Sequence, residues 1–332
     1  MNLKTPAFWK TRGLLSTLLL PLAALYDLGG QLRRRQDAEA AGIPVICVGN
    51  VTAGGTGKTP IVLDLLQRLA AASLKPHALT RGYGGRLQGP VMVDLARHDS
   101  ADVGDEALLL AAQARSWVSA NRVSGARQAA MAGANIIVMD DGFQNPALWK
   151  DVSLLVVDGG FGFGNGRLIP AGPLREPLGE ALKRTDALVM IGDDQTGAIE
   201  QARAIVPDLP ILFAHVKAHP ADAKRLSGER VVAFAGIGRP EKFFETVRAT
   251  GADVVDACGF GDHHVLRAAE LNRLREKADT AKARLVTTEK DFVRIAKADR
   301  HRIETLRADL IWKDETALMR LLAPVIEQTR EA

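Results

Sequence analysis

The sequence predicts an α/β protein built on a doubly wound, mostly parallel sheet. Three observations carry that prediction. From Ile43 onward, apolar runs of strand length alternate with segments of helical spacing. The runs are near-continuous in Val, Ile, Leu and Ala, as strands covered on both faces require. The first of them, Ile43-Pro44-Val45-Ile46-Cys47-Val48-Gly49-Asn50, leads through a glycine-rich turn into a helix. Strand, glycine-rich turn and helix is the context a phosphate-binding loop needs.

That turn is Gly54-Gly55-Thr56-Gly57-Lys58-Thr59, entered through Thr52 and Ala53. Its glycines let successive backbone N–H groups turn inward around an anion, and the helix N-terminus adds partial positive charge. In this pattern Lys58 reaches the β- and γ-phosphates and the Thr59 hydroxyl binds Mg²⁺. The usual G-x-x-x-x-G-K-[ST] spacing asks for glycine where Thr52 stands. After the turn, Pro60-Ile61-Val62-Leu63-Asp64-Leu65-Leu66 has the apolar spacing of a helix.

A chain of 332 residues suggests two domains. Its 47% hydrophobic and 25% charged residues match ordinary globular usage. A net charge of +4 is too diffuse to argue for nucleic acid, but it suits an anionic membrane surface or a phosphorylated substrate. Cys47 and Cys258 lie far apart in apolar settings, which points to two buried thiols in a reducing compartment. No zinc-ligand spacing is present.

Residues 1–36 read as a hydrophobic and basic N-terminal unit. Leu14-Leu15-Ser16-Thr17-Leu18-Leu19-Leu20-Pro21-Leu22 continues to Tyr26; Lys4, Lys10 and Arg12 precede this run and Arg33-Arg34-Arg35 follow it. The run is short for a spanning helix and carries Pro21. It also runs into an arginine cluster, with no small-residue cleavage site. An in-plane membrane helix, a helix docked on the core and an uncleaved signal anchor all fit. The flanking cations favour the first, because they would meet anionic headgroups.

Residues 37–216 are expected to form the phosphate-loop core domain. His77-Ala78-Leu79-Thr80 is a strand that runs into the polar, glycine-rich loop Arg81-Gly82-Tyr83-Gly84-Gly85-Arg86. Val91-Met92-Val93 is another short strand. Gly104-Asp105-Glu106 opens a helix, where acids commonly cap and complement the dipole. A second helix lies near 124–131. Then Asn135-Ile136-Ile137-Val138-Met139-Asp140-Asp141 is an apolar strand ending in carboxylates, the partner that a phosphate loop uses to hold its metal. Either Asp140 or Asp141 meets that need. Val152 to Asp158 is a further strand, followed by the long glycine-rich stretch 159–176; irregular segments of that length in an α/β core are usually functional. The runs 187–192 and 211–214 complete the sheet.

Residues 217–332 are expected to form a smaller α/β domain, after a polar boundary at 217–230. Its strands are 231–236, 253–256, 285–288 and 309–312; its helices are 240–250, 266–281 and 315–328. Asp262-His263-His264 precedes the second of these helices. Paired histidines in loops are commonly plain surface residues.

Taken together, these stretches resemble the tetraacyldisaccharide 4'-kinase family of lipid A biosynthesis. The resemblance rests on Gly49-Asn50 with the phosphate loop and Pro60, on Thr80-Arg81-Gly82-Tyr83, Gly104-Asp105-Glu106 and Asp140-Asp141-Gly142-Phe143-Gln144, and on Asp262-His263-His264. Gly164-Asn165-Gly166 and Pro170-Ala171-Gly172-Pro173-Leu174-Arg175-Glu176 add to it. It spans nearly the whole chain, and the irregular loop at Thr52 fits the family's own.

The resemblance implies a P-loop NTPase-like kinase with a membrane-associated N-terminal helix, peripheral or monotopic on the cytoplasmic side of the inner membrane of a Gram-negative bacterium. It would move the γ-phosphate of ATP to the 4'-hydroxyl of a tetraacylated glucosamine disaccharide 1-phosphate, with Mg²⁺ as cofactor and no nucleic acid or evident protein partner. By similarity Asp105 is the general base, His263 pairs with it, and Glu106 is a further metal contact. Arg81, Tyr83, Arg122 and Gln144 match lipid-substrate positions. Arg175 and Glu176 match positions near the nucleotide base. A switch protein or chaperone of GTPase type would keep Lys58, Thr59 and Asp141 but needs no Asp105–His263 pair. The stretch Thr287-Thr288-Glu289-Lys290-Asp291 only superficially resembles a guanine-specifying motif.

Overall fold

The computed structural model describes residues 6–34 and 36–331; Lys4 and Arg35, two of the expected flanking cations, lie outside them. In chain order the large sheet begins with β1 (Val45–Gly49), β2 (Pro76–Thr80), β3 (Val91–Met92), β4 (Ser116–Val118), β5 (Ile136–Asp140), β6 (Val152–Asp158), β7 (Ala187–Ile191) and β8 (Ile211–Ala218). The small sheet is β9 (Arg230–Ala235), β10 (Asp253–Gly259), β11 (Arg284–Thr288) and β12 (Ile303–Leu306), and β13 (Ala308–Trp312) follows.

Nine strands form the large sheet in the order β13-β8-β7-β6-β1-β5-β2-β4-β3. β3 and β13, at its two edges, pair antiparallel, and the other pairs are parallel. Strand β1 is central and buried at every position. Its side chains alternate between two cores: Ile46 and Val48 pack with Ile61, Leu65 and Leu110, while Val45 and Cys47 pack with Val123, Ala126 and Ala202. That period of two explains why the strand reads as continuously apolar. The doubly wound, mostly parallel prediction therefore holds, with helices on both faces. The phosphate loop opens at the C-terminal end of β1, which β5 flanks on one side and β6 on the other; ligands bind at such crevices in open α/β sheets.

The smaller sheet has the order β10-β9-β11-β12, all parallel. Helix Pro240–Ala249 packs Phe243, Phe244 and Val247 on one face, and helix Ala268–Ala281 packs Leu271, Leu274 and Ala278 on the other. One expected grouping is corrected here. Residues 308–331 were assigned to the smaller domain, yet β13 hydrogen-bonds to β8, with Trp312 opposite Ala214. The last helix, Glu315–Glu331, buries Leu318, Leu322, Val325 and Ile326 in the large sheet's core with Leu65 and Leu69. The chain thus leaves the core near β9 and returns to it at β13.

The N-terminal run forms two helices, Leu14–Leu18 and Leu20–Arg34, with Pro21 in the first turn of the second, where its missing N–H costs nothing. Leu14, Leu18, Leu22, Leu25, Leu28 and Leu32 are all more than half exposed. No described helix is long and apolar enough to cross a membrane. Of the two cysteines, Cys47 is buried as expected, but Cys258 is half-buried beside Asp256 and Lys277.

Candidate active site

Helix Lys58–Ala71 starts directly from the phosphate loop, with Gly57 as its N-cap at φ 85°. A residue with a Cβ is strained in that left-handed conformation, which is why glycine stands there. Lys58 Nζ is 3.1 Å from Asn50 Oδ1 and 3.4 Å from Asp141 Oδ1. Asn50 in turn donates to the Thr52 carbonyl at 2.7 Å, so the side chain at the end of β1 shapes the loop's entry. The loop is also held from the far side: Ala53 N donates to the Pro173 carbonyl at 2.8 Å, Thr52 bridges to Leu174, and Arg175 N donates to the Val51 carbonyl at 2.7 Å.

Asp140 and Asp141 divide cleanly. Asp141 takes Arg175 Nη1 at 3.0 Å as well as Lys58. Burial pushes its carboxyl up, but those two cations outweigh it and hold it at about 2. Asp140 is 1% exposed, and neither carboxylate oxygen has a hydrogen-bond partner among the described residues. Burial, with the nearby Glu106 charge, raises its pKa well above the usual carboxylate range. A buried, unpartnered carboxylate beside a Lys-Thr phosphate loop is the donor a hard divalent cation lacks; Mg²⁺ takes one or two carboxylates and fills its shell with phosphate oxygens and water. The Thr59 hydroxyl and Asp140 therefore fit Mg²⁺. No cluster of three His, Cys, Asp or Glu that could hold a metal occurs among the described residues.

A second network lies across the domain boundary. Gly104, at φ 84°, sits between two short helices and lets the second begin at Asp105. Asp105 is 4% exposed. Its Oδ2 accepts from His263 Nδ1 at 3.2 Å, from Arg294 Nε at 2.6 Å and from Arg294 Nη2. Burial raises this carboxyl, but the His263 hydrogen bond and the Lys290 and Arg294 charges more than reverse it and hold it below the ordinary range. Neighbouring Glu106 pairs with Lys290 Nζ at 3.0 Å. The Tyr83 ring lies 5.2 Å from the His263 ring, centroid to centroid, and is two-thirds exposed.

The structure thus brings Asp105 and His263 together, and Asp140 feels both networks, since Glu106, Lys58 and Lys290 all act on it. Arg122 is buried; Arg81 close by, after burial, lowers its pKa to about 10, and its Nε has no partner among the described residues. Four of the expected residues are engaged by neighbours in this structure. Glu106, expected at the metal, pairs with Lys290. Gln144, expected at the lipid, donates to the Asn50 carbonyl at 2.8 Å and to Glu176 at 2.9 Å, behind the phosphate loop. Glu176, expected near the base, is 2% exposed between Gln144 and Arg184, and Arg175 is turned onto Asp141.

Sequence reasoning passed over Lys290, Arg294 and Asp158. Lys290 and Arg294 stand four apart on helix Glu289–Arg294, so they share a face. Their signal was two cations at that spacing just after a strand. Asp158 ends β6 as Asp140 ends β5, and it binds Arg239 at 2.7 Å and Lys242 at 2.5 Å from the smaller sheet's side.

A doubly wound sheet, a lysine-threonine phosphate loop and an acidic strand end beside it define a phosphate-loop nucleotide-binding protein. The chain belongs to the tetraacyldisaccharide-1-P 4'-kinase family, whose model matches residues 15–327. It is 51% identical to the tetraacyldisaccharide 4'-kinase of Rhodospirillum centenum, over 98% of this chain and 97% of that one. It is 49% identical to the one from Gluconacetobacter diazotrophicus, over 96% of each chain. A crystal structure of LpxK from Aquifex aeolicus in complex with ATP shares the fold, with a TM-score of 0.71 at 24% identity, covering 94% of this chain and 100% of that one.

Proposed function

We propose that the chain is a tetraacyldisaccharide 4'-kinase that transfers the γ-phosphate of ATP to the 4'-hydroxyl of a tetraacylated glucosamine disaccharide 1-phosphate, with Asp105 accepting the hydroxyl proton. Its family membership carries the reaction. The observation behind the residue roles is the Asp105–His263 contact, with the adjoining Glu106 and the phosphate-loop Lys58 both acting on Asp140.

Phosphoryl transfer is mostly positioning and charge neutralisation. Lys58 and the amides of residues 54–59 hold the phosphates, while Thr52 and Ala53 are tied to Leu174 and Pro173 and shape the loop's entry. Thr59 and Asp140 hold Mg²⁺, which neutralises charge on the phosphate oxygens when bound. Asp141 stays with Arg175 and keeps Lys58 in place. A sugar hydroxyl is a poor nucleophile, so the proton it sheds needs an acceptor, and Asp105 is the carboxylate free of the metal set. His263 orients it. The smaller domain closes over the loop, carries His263 inward and excludes water that would otherwise waste ATP.

Arg81 and the buried Arg122 are like charges held close, an arrangement an anionic group between them relieves; the substrate phosphate supplies one. Tyr83 stacks against the sugar or its acyl linkage. Arg175, Glu176 and Gln144 shape the nucleotide side of the loop. The exposed leucines of 14–32 lie in the cytoplasmic face of the inner membrane, with Arg33 and Arg34 at the headgroups.

The test is to incubate the protein with labelled ATP, Mg²⁺ and the disaccharide lipid and to look for label in the lipid. Hydrolysis of ATP without labelled lipid would favour the switch-protein alternative.

A further inference from the structure

The two oxygens of Asp105 are treated unequally. Oδ2 receives both Arg294 contacts and His263. Oδ1 receives the Glu106 backbone N–H alone among the described residues, at 2.9 Å. A carboxylate oxygen has two lone-pair sites, so Oδ2 is full and Oδ1 has room for one more donor.

Arg294 is itself fixed. It is 8% exposed and donates through Nη1 to Asp291 Oδ1 at 2.8 Å and to the Gly236 carbonyl at 2.7 Å. Asp291 is locked in turn: Thr288 Oγ donates to it at 2.7 Å and the Gly236 N–H at 3.0 Å. The Gly236 carbonyl also accepts from His263 N at 3.1 Å. One carbonyl therefore ties the Arg294 side chain to the backbone of His263, the two residues that hold Oδ2. A planar guanidinium bound on both edges offers a carboxylate a single orientation, which a lysine ammonium does not.

We propose that Arg294 is a positioning residue for phosphoryl transfer: it clamps Oδ2 of Asp105 from the smaller domain and so presents Oδ1 to the substrate hydroxyl. This rests on Asp105 as the proton acceptor. It also makes the acceptor complete only when the two domains meet, because the clamp and the carboxylate stand on helices of different domains.

The test is a double-variant cycle on the full chain, with kcat and KM measured for lipid and ATP. Arg294→Gln should lower kcat about 10²-fold, the cost of a misplaced reacting group. Both KM values should stay within about threefold, because ground-state binding is untouched. Arg294→Lys should recover part of the loss. In an Asp105→Asn background, Arg294→Gln should cost nothing further, since its effect runs through a carboxylate already gone; a merely structural role would multiply the losses. Multiplied losses, or near-normal kcat in Arg294→Gln, would overturn the proposal. Should Arg294→Gln fail to fold, as judged by circular dichroism and nucleotide binding, Arg294→Lys decides, and full turnover there overturns the clamp. Near-normal turnover in Asp105→Asn alone would instead sink the assignment of Asp105 as acceptor.

Discussion

Nδ1 of His263 stands 3.2 Å from Oδ2 of Asp105, a contact between residues 158 apart in the chain and in different domains. Only the meeting of the two domains makes it. The first prediction follows from it. Asp105→Ala should cut transfer to lipid by at least the 10²–10⁴-fold typical of a lost general base, roughly, while ATP still binds. His263→Ala should cost less, because the carboxylate keeps Arg294. Single-turnover transfer and fluorescent nucleotide binding, measured on the same samples, check both. A His263 variant more damaged than the Asp105 variant would reverse the assigned roles.

Asp140 predicts a pH dependence. Its pKa is raised by burial and by Glu106, so without metal the folded protein holds a proton there that the unfolded chain has lost. The sign follows: between the ordinary carboxylate pKa of about 4 and the raised value, metal-free stability falls as pH rises. Mg²⁺ takes the ionised carboxylate, so its binding releases a proton and strengthens over the same rise. Calorimetry in buffers of different ionisation enthalpy reads the proton directly. Asp140→Asn should lose the proton release along with most of the Mg²⁺ affinity, and persistence of the release would point to another group.

Asp158 should act as a latch. Its carboxylate holds Arg239 and Lys242 at the loop that leads into helix Pro240–Ala249. At the adjacent Gly238 an added Cβ would lie 3.0 Å from Gly55 N, so this loop rests on the phosphate loop itself. Asp158→Asn should speed amide exchange across 236–242 and raise futile hydrolysis relative to transfer, with the fold intact. Exchange indistinguishable from the parent protein would remove the latch from the account.

The exposed leucines make a fourth, separable prediction. Leu18→Asp and Leu25→Asp should each change stability by no more than about 0.5 kcal/mol, as exposed sites generally do. Both should reduce cosedimentation with anionic vesicles. Ser16→Leu should behave oppositely, because Ser16 is buried and its hydroxyl joins Ala171, Asn165 and Arg167. An unchanged bound fraction for the aspartate variants would argue that this face meets protein instead.

What the sequence disclosed was local. The phosphate loop and the acidic end of β5 are short, contiguous patterns, and both fall where the spacing puts them. The strands of the large sheet were legible because burial on both faces leaves them continuously apolar. β13 was misplaced because its partner is chosen by tertiary packing: Asp309-Leu310-Ile311-Trp312 suits either sheet, and only the burial of Leu318 and Leu322 beside Leu65 decides. Asp105 and His263 came from resemblance rather than from residue chemistry. Arg294 escaped notice since a guanidinium on a short helix reads as solvated until the opposing carboxylate is known.

The stretch 159–175 joins two distant ends of the molecule. At one end Asn165 and Ala171 hold Ser16, and the Pro170 carbonyl accepts from Trp9 Nε1 at 3.1 Å. At the other, Pro173 and Leu174 grip Ala53 and Thr52. If the leucine face sits in lipid as proposed, this strut would fix the height of the catalytic chamber above the bilayer like a depth gauge. An acceptor sugar that rides too deep or too proud of its neighbours would then be refused by altitude alone, before any side chain inspects it.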